Sequence, residues 1–222
     1  MPVICVDGPS ASGKGTVAQH VARLLEFHYL DSGSLYRVVA LAAMRSGVPW
    51  EDQARLARVA DSLEVRYEAG EVWLARESVT EAIRDEACSN GASRVAAWPG
   101  VRAALLGRQR AFRRAPGLVA EGRDMGSVVF ADSSLKVFLT ATVEARAERR
   151  YKQLKGKGIA ATLPVLLKDL RERDARDASR STAPLKHCPD ARLLDTTAMS
   201  ATDAAERILA WYRGANGGNN AR

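Results

Sequence analysis

The sequence predicts an α/β fold, a five-stranded parallel sheet flanked by helices with a small antiparallel β insertion and a short helical lid. Three observations carry this reading. Short apolar runs recur along the chain, each followed by a segment with helical spacing, as expected of strands buried on both faces. Several runs end in polar or glycine-rich clusters, Asp7-Gly8, Asp31-Ser32-Gly33 and Glu121-Gly122-Arg123-Asp124, and such sheets place their ligands at the carboxyl ends of the strands. One stretch, Leu63 to Ala75, alternates apolar and polar residues instead and breaks the strand–helix rhythm.

The first strand is Val3-Ile4-Cys5-Val6, which leads through a glycine-bounded loop into the helical pattern of Val17, Val21, Leu24 and Leu25. Phe27-His28-Tyr29-Leu30 reads as the second strand. The helix after it runs from Leu35 to Met44, capped by Ser32 or Ser34 and stopped by Ser46-Gly47-Val48-Pro49. Glu51 to Leu63 is helical by spacing. Leu63-Glu64-Val65-Arg66-Tyr67 and Val72-Trp73-Leu74-Ala75 form a hairpin about Glu68-Ala69-Gly70-Glu71, and Ser78-Val79-Thr80 can add a third strand. Residues 34–100 are therefore set apart as an insertion in the parallel core. Val101 to Ala115 is an amphipathic helix broken by Pro116-Gly117, and Leu118-Val119-Ala120 and Leu135-Lys136-Val137-Phe138-Leu139 are buried strands. Two Arg-rich helices, Thr142 to Lys155 and Leu163 to Ala178, flank Lys155-Gly156-Lys157-Gly158, which reads either as a solvated basic loop or as the hinge of a lid at residues 151–162. Arg192-Leu193-Leu194-Asp195 is the last strand and Ala201 to Tyr212 the closing helix, with residues 214–222 expected to be a disordered tail.

The first strand, loop and helix carry the chemistry. Gly8, Pro9, Ser10, Ala11, Ser12, Gly13, Lys14, Gly15 and Thr16 match the phosphate-binding pattern of two glycines, a lysine and a hydroxyl, in the strand-to-helix context that the pattern requires. Gly8 and Gly13 let the backbone turn its N–H groups toward an anion. The helix start adds its positive end, and the Lys14 ammonium can reach β- and γ-phosphates. The residue after Lys14 is Gly15, so the hydroxyl comes one place later, at Thr16. The stretch reads as a nucleoside-triphosphate site.

Composition excludes several classes. Hydrophobic content of 46% and charged content of 27% are those of a soluble globular chain, and no apolar stretch is long enough to cross a bilayer. No signal peptide is expected, and the three scattered cysteines, Cys5, Cys88 and Cys188, read as reduced thiols of a cytoplasmic protein. The net charge of +7 suggests nucleic acid, but the arginines are spread over many segments and no nucleic-acid motif is present. Arginine suits bidentate contacts to phosphates and bases, so small polyanionic ligands account for the surplus. No specific nucleic-acid or membrane partner is expected, and a monomer is the default.

Four segments in order resemble bacterial cytidylate (CMP) kinase, a P-loop nucleoside-monophosphate kinase family. They are Gly8-Pro9-Ser10 with Gly13-Lys14-Gly15-Thr16; Leu30-Asp31-Ser32-Gly33 with Tyr36-Arg37; Glu121-Gly122-Arg123-Asp124-Met125-Gly126; and Arg173-Asp174, Asp177, Arg180 and Ala183-Pro184-Leu185. Ser127 stands where that family's Thr is expected, and either supplies a hydroxyl. The resemblance implies ATP-dependent phosphorylation of CMP and dCMP in pyrimidine metabolism, with Mg2+ as companion of ATP. It implies that Arg37 and Arg123 hold the monophosphate, that Ser93, Arg102 and Asp124 read the base, and that Arg173 and Asp177 take the ribose hydroxyls. Ser32, Tyr36 and Arg180 join that CMP shell. Arg146 is expected beside the donor nucleotide, and Lys14, Arg150 and Arg123 against the transferring phosphoryl group. From the residues alone, Ser93 and Arg102 look like helix-surface side chains, and Arg173 with Asp177 like a surface ion pair at i, i+4.

The phosphate oxygen of CMP is already ionised near neutral pH, so the expected chemistry is in-line transfer by positioning and charge neutralisation, without a general base. Thr16, with phosphates and waters, is the expected metal contact, and Asp7 the weaker one. A kinase for UMP or a non-nucleotide acceptor is the nearest rival. A GTP-binding switch should carry an Asn-Lys-x-Asp segment, and none is present.

Overall fold

The computed structural model describes residues 1–68 and 70–217. In chain order its first half contains β1 (Val3–Asp7), α1 (Lys14–Leu25), β2 (His28–Asp31), α2 (Ser32–Arg45), α3 (Gln53–Asp61), β3 (Val65–Glu68), β4 (Glu71–Leu74), β5 (Glu77–Ser78), α4 (Glu86–Val95) and α5 (Pro99–Arg110). The second half contains β6 (Leu118–Gly122), β7 (Leu135–Thr140), α6 (Val143–Gly156), α7 (Leu163–Ser179), β8 (Arg192–Asp195) and α8 (Ala201–Gly217). The chain divides into two compact units, one comprising residues up to Leu30 and from Phe112 onward, the other Asp31–Ala111.

The first unit is built on a five-stranded sheet of order β2-β6-β1-β7-β8. The pairs β1–β6, β1–β7 and β7–β8 are parallel. Every residue of the central strands β1 and β6 is buried, whereas β8, at an edge, buries only Leu194. The apolar runs read from the sequence are therefore the strands that have helices to hide beneath. One side of the sheet packs Ile4, Val6, Val119, Val137 and Leu139 against Val17 and Val21 of α1 and Ile208 and Leu209 of α8. Asp7 pairs in register with Gly122, so the chain leaves β1 and β6 at the same level, and Gly8 and Arg123 start side by side. A smaller cluster of Ala147, Leu154, Leu166 and Leu170 joins α6 to α7.

The second unit contains the antiparallel sheet β3-β4-β5, with Val65 opposite Leu74 and Glu68 opposite Glu71. Its helices depart from the sequence reading at three places. Asp31, not Ser32 or Ser34, caps α2, its carboxylate accepting from Ser34 N at 3.1 Å. The helix expected to reach Ala115 ends at Arg110, and Arg113 beyond it belongs to the first unit, donating to Met1 O and to Asp132. Helix α4 has no counterpart in the sequence reading because its buried face, Cys88, Ser89, Gly91, Ala92, Ser93 and Val95, is made mostly of small residues and its apolar stripe is short and weak. Such a face suits close approach: a Cβ on Gly91 would stand 2.8 Å from Trp50 and 3.0 Å from Ala40.

Helix α8 continues to Gly217, so residues 214–217 of the expected disordered tail are helical, and 218–222 lie outside the described residues. All three cysteines are free thiols, and no helix among the described residues is long and apolar enough to cross a membrane. Ile208 is fully buried where α8 docks on the sheet, so Ile208→Ala is expected to cost about 2–5 kcal/mol of stability, read as a lower urea midpoint.

Candidate active site

The loop from Gly8 to Gly13 leaves β1 under tight steric control. A Cβ on Gly8 would stand 2.0 Å from Leu139 O of the neighbouring strand, so only glycine passes there. Ala11 and Gly13 adopt left-handed φ angles of 57° and 92°, and α1 starts at once with Lys14. The loop's carbonyls are held by named donors. Lys14 Nζ donates to Pro9 O at 3.0 Å, Arg146 Nη1 to Ser10 O at 3.1 Å, and Arg149 Nη1 to Ser12 O at 3.0 Å. Thr196 Oγ1 also donates to Ser12 O, at 3.2 Å, and Gly13 O takes the first helical N–H, from Val17. Ser12 Oγ is buried and has no hydrogen-bond partner among the described residues, an orphan hydroxyl that a phosphate oxygen would satisfy.

Lys14 is 9% exposed, and its Nζ stands 3.9 Å from Glu121 Oε2 at the end of β6. Glu121 Oε1 accepts from the Tyr29 hydroxyl at 2.6 Å. This carboxylate explains the departure after Lys14: a Cβ on Gly15 would meet Glu121 Oε1 at 2.7 Å. Thr16 is exposed in the first turn of α1. Asp7, by contrast, is buried and engages both oxygens, accepting from Met125 N at 2.9 Å and Gly126 N at 2.8 Å. It serves as the anchor of the wide helical turn Met125–Val129, which removes it as a metal contact. Burial pushes its carboxyl up to about 6, against the pull of the Gly126 and Met125 amides.

Beyond β6, Arg123 Nε donates to Asp177 Oδ2 at 2.9 Å and its Nη1 to Gly122 O at 3.2 Å. Asp177 is 3% exposed, so the expected surface pair is a buried one, and its partner is Arg123 as well as the i−4 Arg173. Burial opposes its charge, but Arg123, Arg173 and Arg180 outweigh that and hold its carboxyl below the usual range. Arg180 Nε donates to Asp177 O at 3.3 Å, just past α7. Asp124 is buried at 3%. Arg146 is buried at 5%, spanning Ala141 O, Ser10 O and Asp174 Oδ2, the last at 2.6 Å. Arg150 lies on the same helix and donates to Gln153 at 2.9 Å.

In the second unit, Ser32 and Tyr36 are buried on α2 beside the half-buried Arg37. Arg102, 9% exposed, lays its guanidinium 5.6 Å from the Tyr36 ring centre and donates to Ala96 O at the end of α4. Ser93, in the last turn of α4, is 5% exposed, so neither Ser93 nor Arg102 is the surface residue that the sequence alone suggested. The start of α2 is fixed by Tyr67, whose hydroxyl shares a 2.7 Å hydrogen bond with Ser34 Oγ.

The sequence reading missed Glu121, Arg149, Thr196 and Tyr29. Glu121 had a signal, since it opens the quoted segment Glu121-Gly122-Arg123-Asp124 at the end of a buried strand, but it was given no role. The other three had none, since their roles depend on contacts far apart in the chain, 137 residues for Arg149 with Ser12 and 92 for Tyr29 with Glu121.

A family model described as Cytidylate kinase matches residues 4–214. A cytidylate kinase from Chromobacterium violaceum is 57% identical over 212 residues, covering 96% of this chain and 96% of its own. One from Ralstonia pickettii is 56% identical over 220 residues, covering 99% of this chain and 95% of its own. The crystal structure of an uncharacterized protein from Eubacterium ventriosum aligns with TM-score 0.50 and 10% identity over 96% of this chain and 98% of its own, a likeness of fold alone.

Two outcomes follow from the geometry. Gly15→Ser is expected to push the Glu121 carboxylate off Tyr29 and weaken nucleoside-triphosphate affinity by about tenfold, with Glu121→Asp in the same chain relieving part of the loss, as read by titration. The folded protein takes up the Asp7 proton near pH 6 and the unfolded chain near 3.8, so folding stability falls as pH rises between those values. Urea unfolding of wild type against Asp7→Asn should show the wild type losing on the order of 3 kcal/mol relative to the variant between pH 4 and pH 7.

Proposed function

The chain belongs to the cytidylate kinase family and phosphorylates CMP to CDP with ATP, and we propose that the groups at the carboxyl ends of β1 and β6 carry the transfer. The observation that supports this most directly is the phosphate loop itself. Its carbonyls at Pro9, Ser10 and Ser12 are bonded to Lys14, Arg146, Arg149 and Thr196, and Lys14 stands at its foot beside Glu121.

In this reading Gly8 to Thr16 hold the triphosphate and Lys14 neutralises the β- and γ-phosphates. Arg146 acts from behind the loop. Arg150 and Arg123 would add charge at the transferring group. The acceptor is a phosphate oxygen already ionised near neutral pH, so no side chain need remove a proton. Arg123, Asp124, Arg173, Asp177 and Arg180 are proposed to bind CMP, and within the second unit Ser32, Tyr36, Arg37, Ser93 and Arg102 likewise. Ser93, Arg102 and Asp124 are all buried, which suits base reading: an unmatched uracil edge would leave buried polar groups unpaired. Use of dCMP alongside CMP is part of the proposal.

Mg2+ is proposed to accompany ATP, supplying charge neutralisation to the phosphates when bound. Among the described residues no cluster of three or more His, Cys, Asp and Glu could hold a metal unaided. A hard cation that keeps its waters and takes phosphate oxygens plus the exposed Thr16 hydroxyl fits such a donor set. Residues 151–162, the last turns of α6 and the turn that leads to α7, are the proposed lid, with Gly158 at φ 72° as a hinge position.

The test is ADP release from ATP and magnesium across CMP, dCMP, UMP, AMP, GMP and TMP, with a no-acceptor control and with Lys14→Ala. CMP and dCMP should exceed UMP clearly, and Lys14→Ala should lose at least about a hundredfold in turnover while keeping its unfolding midpoint. Equal use of UMP would sink the base-reading roles, and near-normal turnover of Lys14→Ala would sink the mechanism.

A further inference from the structure

We infer that Arg149 is a positioning residue for the donor nucleotide: with Thr196 it clamps the Ser12 carbonyl so that the Ser12–Gly13 peptide is fixed with its N–H facing away from α6 and β8, toward a nucleotide phosphate. This rests on the reading of Gly8 to Thr16 as the ATP site. A carbonyl oxygen has two lone pairs, and Ser12 O spends both, on Arg149 Nη1 at 3.0 Å and Thr196 Oγ1 at 3.2 Å. The only cis peptide among the described residues is Ala115–Pro116, so the Ser12–Gly13 bond is trans and its N–H points opposite to its C=O. Holding the oxygen therefore aims the Gly13 N–H.

The peptide needs holding. Gly13 sits at φ 92°, and glycine admits conformations on both sides of φ = 0 at little cost, so the backbone does not by itself choose this orientation. The clamp is anchored independently of the loop. Arg149 Nη2 donates to Thr196 O, and Thr196 is tied to the end of β7 through its N–H, 2.8 Å from Thr140 O, while its single hydroxyl proton is shared between Thr140 O at 3.0 Å and Ser12 O at 3.2 Å. Thr142 N, at the start of α6, donates to Thr197 Oγ1 at 3.0 Å. Arg149 also lies one turn from Arg146, so two guanidiniums at i, i+3 hold alternate carbonyls of the loop, Ser12 O and Ser10 O. Each places a positive charge at the carbonyl end of a peptide and so polarises that peptide's N–H toward an anion. Lysine could not do this, because a point ammonium cannot span Ser12 O and Thr196 O as the planar fork does.

Equilibrium titration of ATP, and separately of CMP, against wild type, Arg149→Met, Arg149→Lys and Thr196→Val tests the clamp without relying on turnover. ATP affinity should fall about tenfold in both Arg149 variants and roughly threefold in Thr196→Val, with CMP affinity within about twofold of wild type. Because both side chains hold one carbonyl, the double variant Arg149→Met/Thr196→Val should lose less than the product of the single losses. ATP affinity within twofold of wild type in Thr196→Val, which lacks one hydroxyl and decides the matter if Arg149→Met does not fold, would overturn the inference. So would equal losses for ATP and CMP, or full rescue by lysine. Failure of the kinase reading would show differently, as wild-type protein that binds ATP with this dependence yet releases no ADP with CMP.

Discussion

A loop that offers its N–H groups to an anion must send its carbonyls somewhere else, and that constraint organises the first unit. In the loop after β1 the destinations are donors from three parts of the chain: Pro9 O takes Lys14 of α1, Ser10 O takes Arg146 of α6, and Ser12 O takes Arg149 of α6 and Thr196 after β8. Gly13 O is absorbed by the first turn of α1. A buried backbone acceptor without a partner is costly, so the loop's shape depends on all of these elements being in place. The order of the sheet secures this, since β1 lies at its centre with β7 and β8 on one side and β6 on the other. Steric fit adds a second control, because Gly8 passes the end of β7 only for want of a side chain.

The arginine surplus takes on meaning in the same terms. Arg146 uses its whole fork inside the protein, two groups on carbonyls and one on Asp174. Arg123 is instead set against Asp177, and Asp177 against three guanidiniums at once. A carboxylate buried to 3% survives as a charge only in such company. One acidic group thereby fixes a cationic group that would otherwise repel itself, leaving net positive charge where an anionic substrate would be held. The arginines behind the chain's net charge of +7 thus serve in part as internal wiring.

Much of this was legible in the sequence because it is local. The five strands, the hairpin and the phosphate loop each announce themselves within about ten residues, through apolar runs, alternation, and glycines flanking a lysine. What failed to show was non-local. Helix α4 buries Ser89, Gly91 and Ser93 beside Cys88, Ala92 and Val95, a hydrophobic period too short and too weak to stand out, and at Gly91 its neighbours leave no room for a side chain. Asp31 displaces the expected serine caps because it ends a strand and starts a helix in one residue. Arg102 and Ser93 read as surface positions since periodicity cannot tell a polar residue that is buried from one that is solvated. The resemblance singles out Arg146 and Arg150 on α6, whereas the loop carbonyls engage Arg146 and Arg149, at i, i+3.

The pairing of Lys14 with Glu121 shows how the site stays both charged and available. A lysine with 9% exposure needs a counter-charge nearby, yet one bound too tightly would compete with any phosphate. The geometry meets both demands. Glu121 is turned by the Tyr29 hydroxyl, which takes Oε1 at 2.6 Å, and its Oε2 then stands 3.9 Å from the ammonium, beyond hydrogen-bond reach but within strong Coulombic range. The same carboxylate disfavours a side chain at residue 15, since a Cβ there would come within 2.7 Å of Oε1 and Glu121 would have to give up its place beside Tyr29. The hydroxyl that usually follows the lysine of such loops comes one residue later, at Thr16. The unusual spacing in the sequence is thus the imprint of a carboxylate more than a hundred residues away, held in place by a strand that neither of them belongs to.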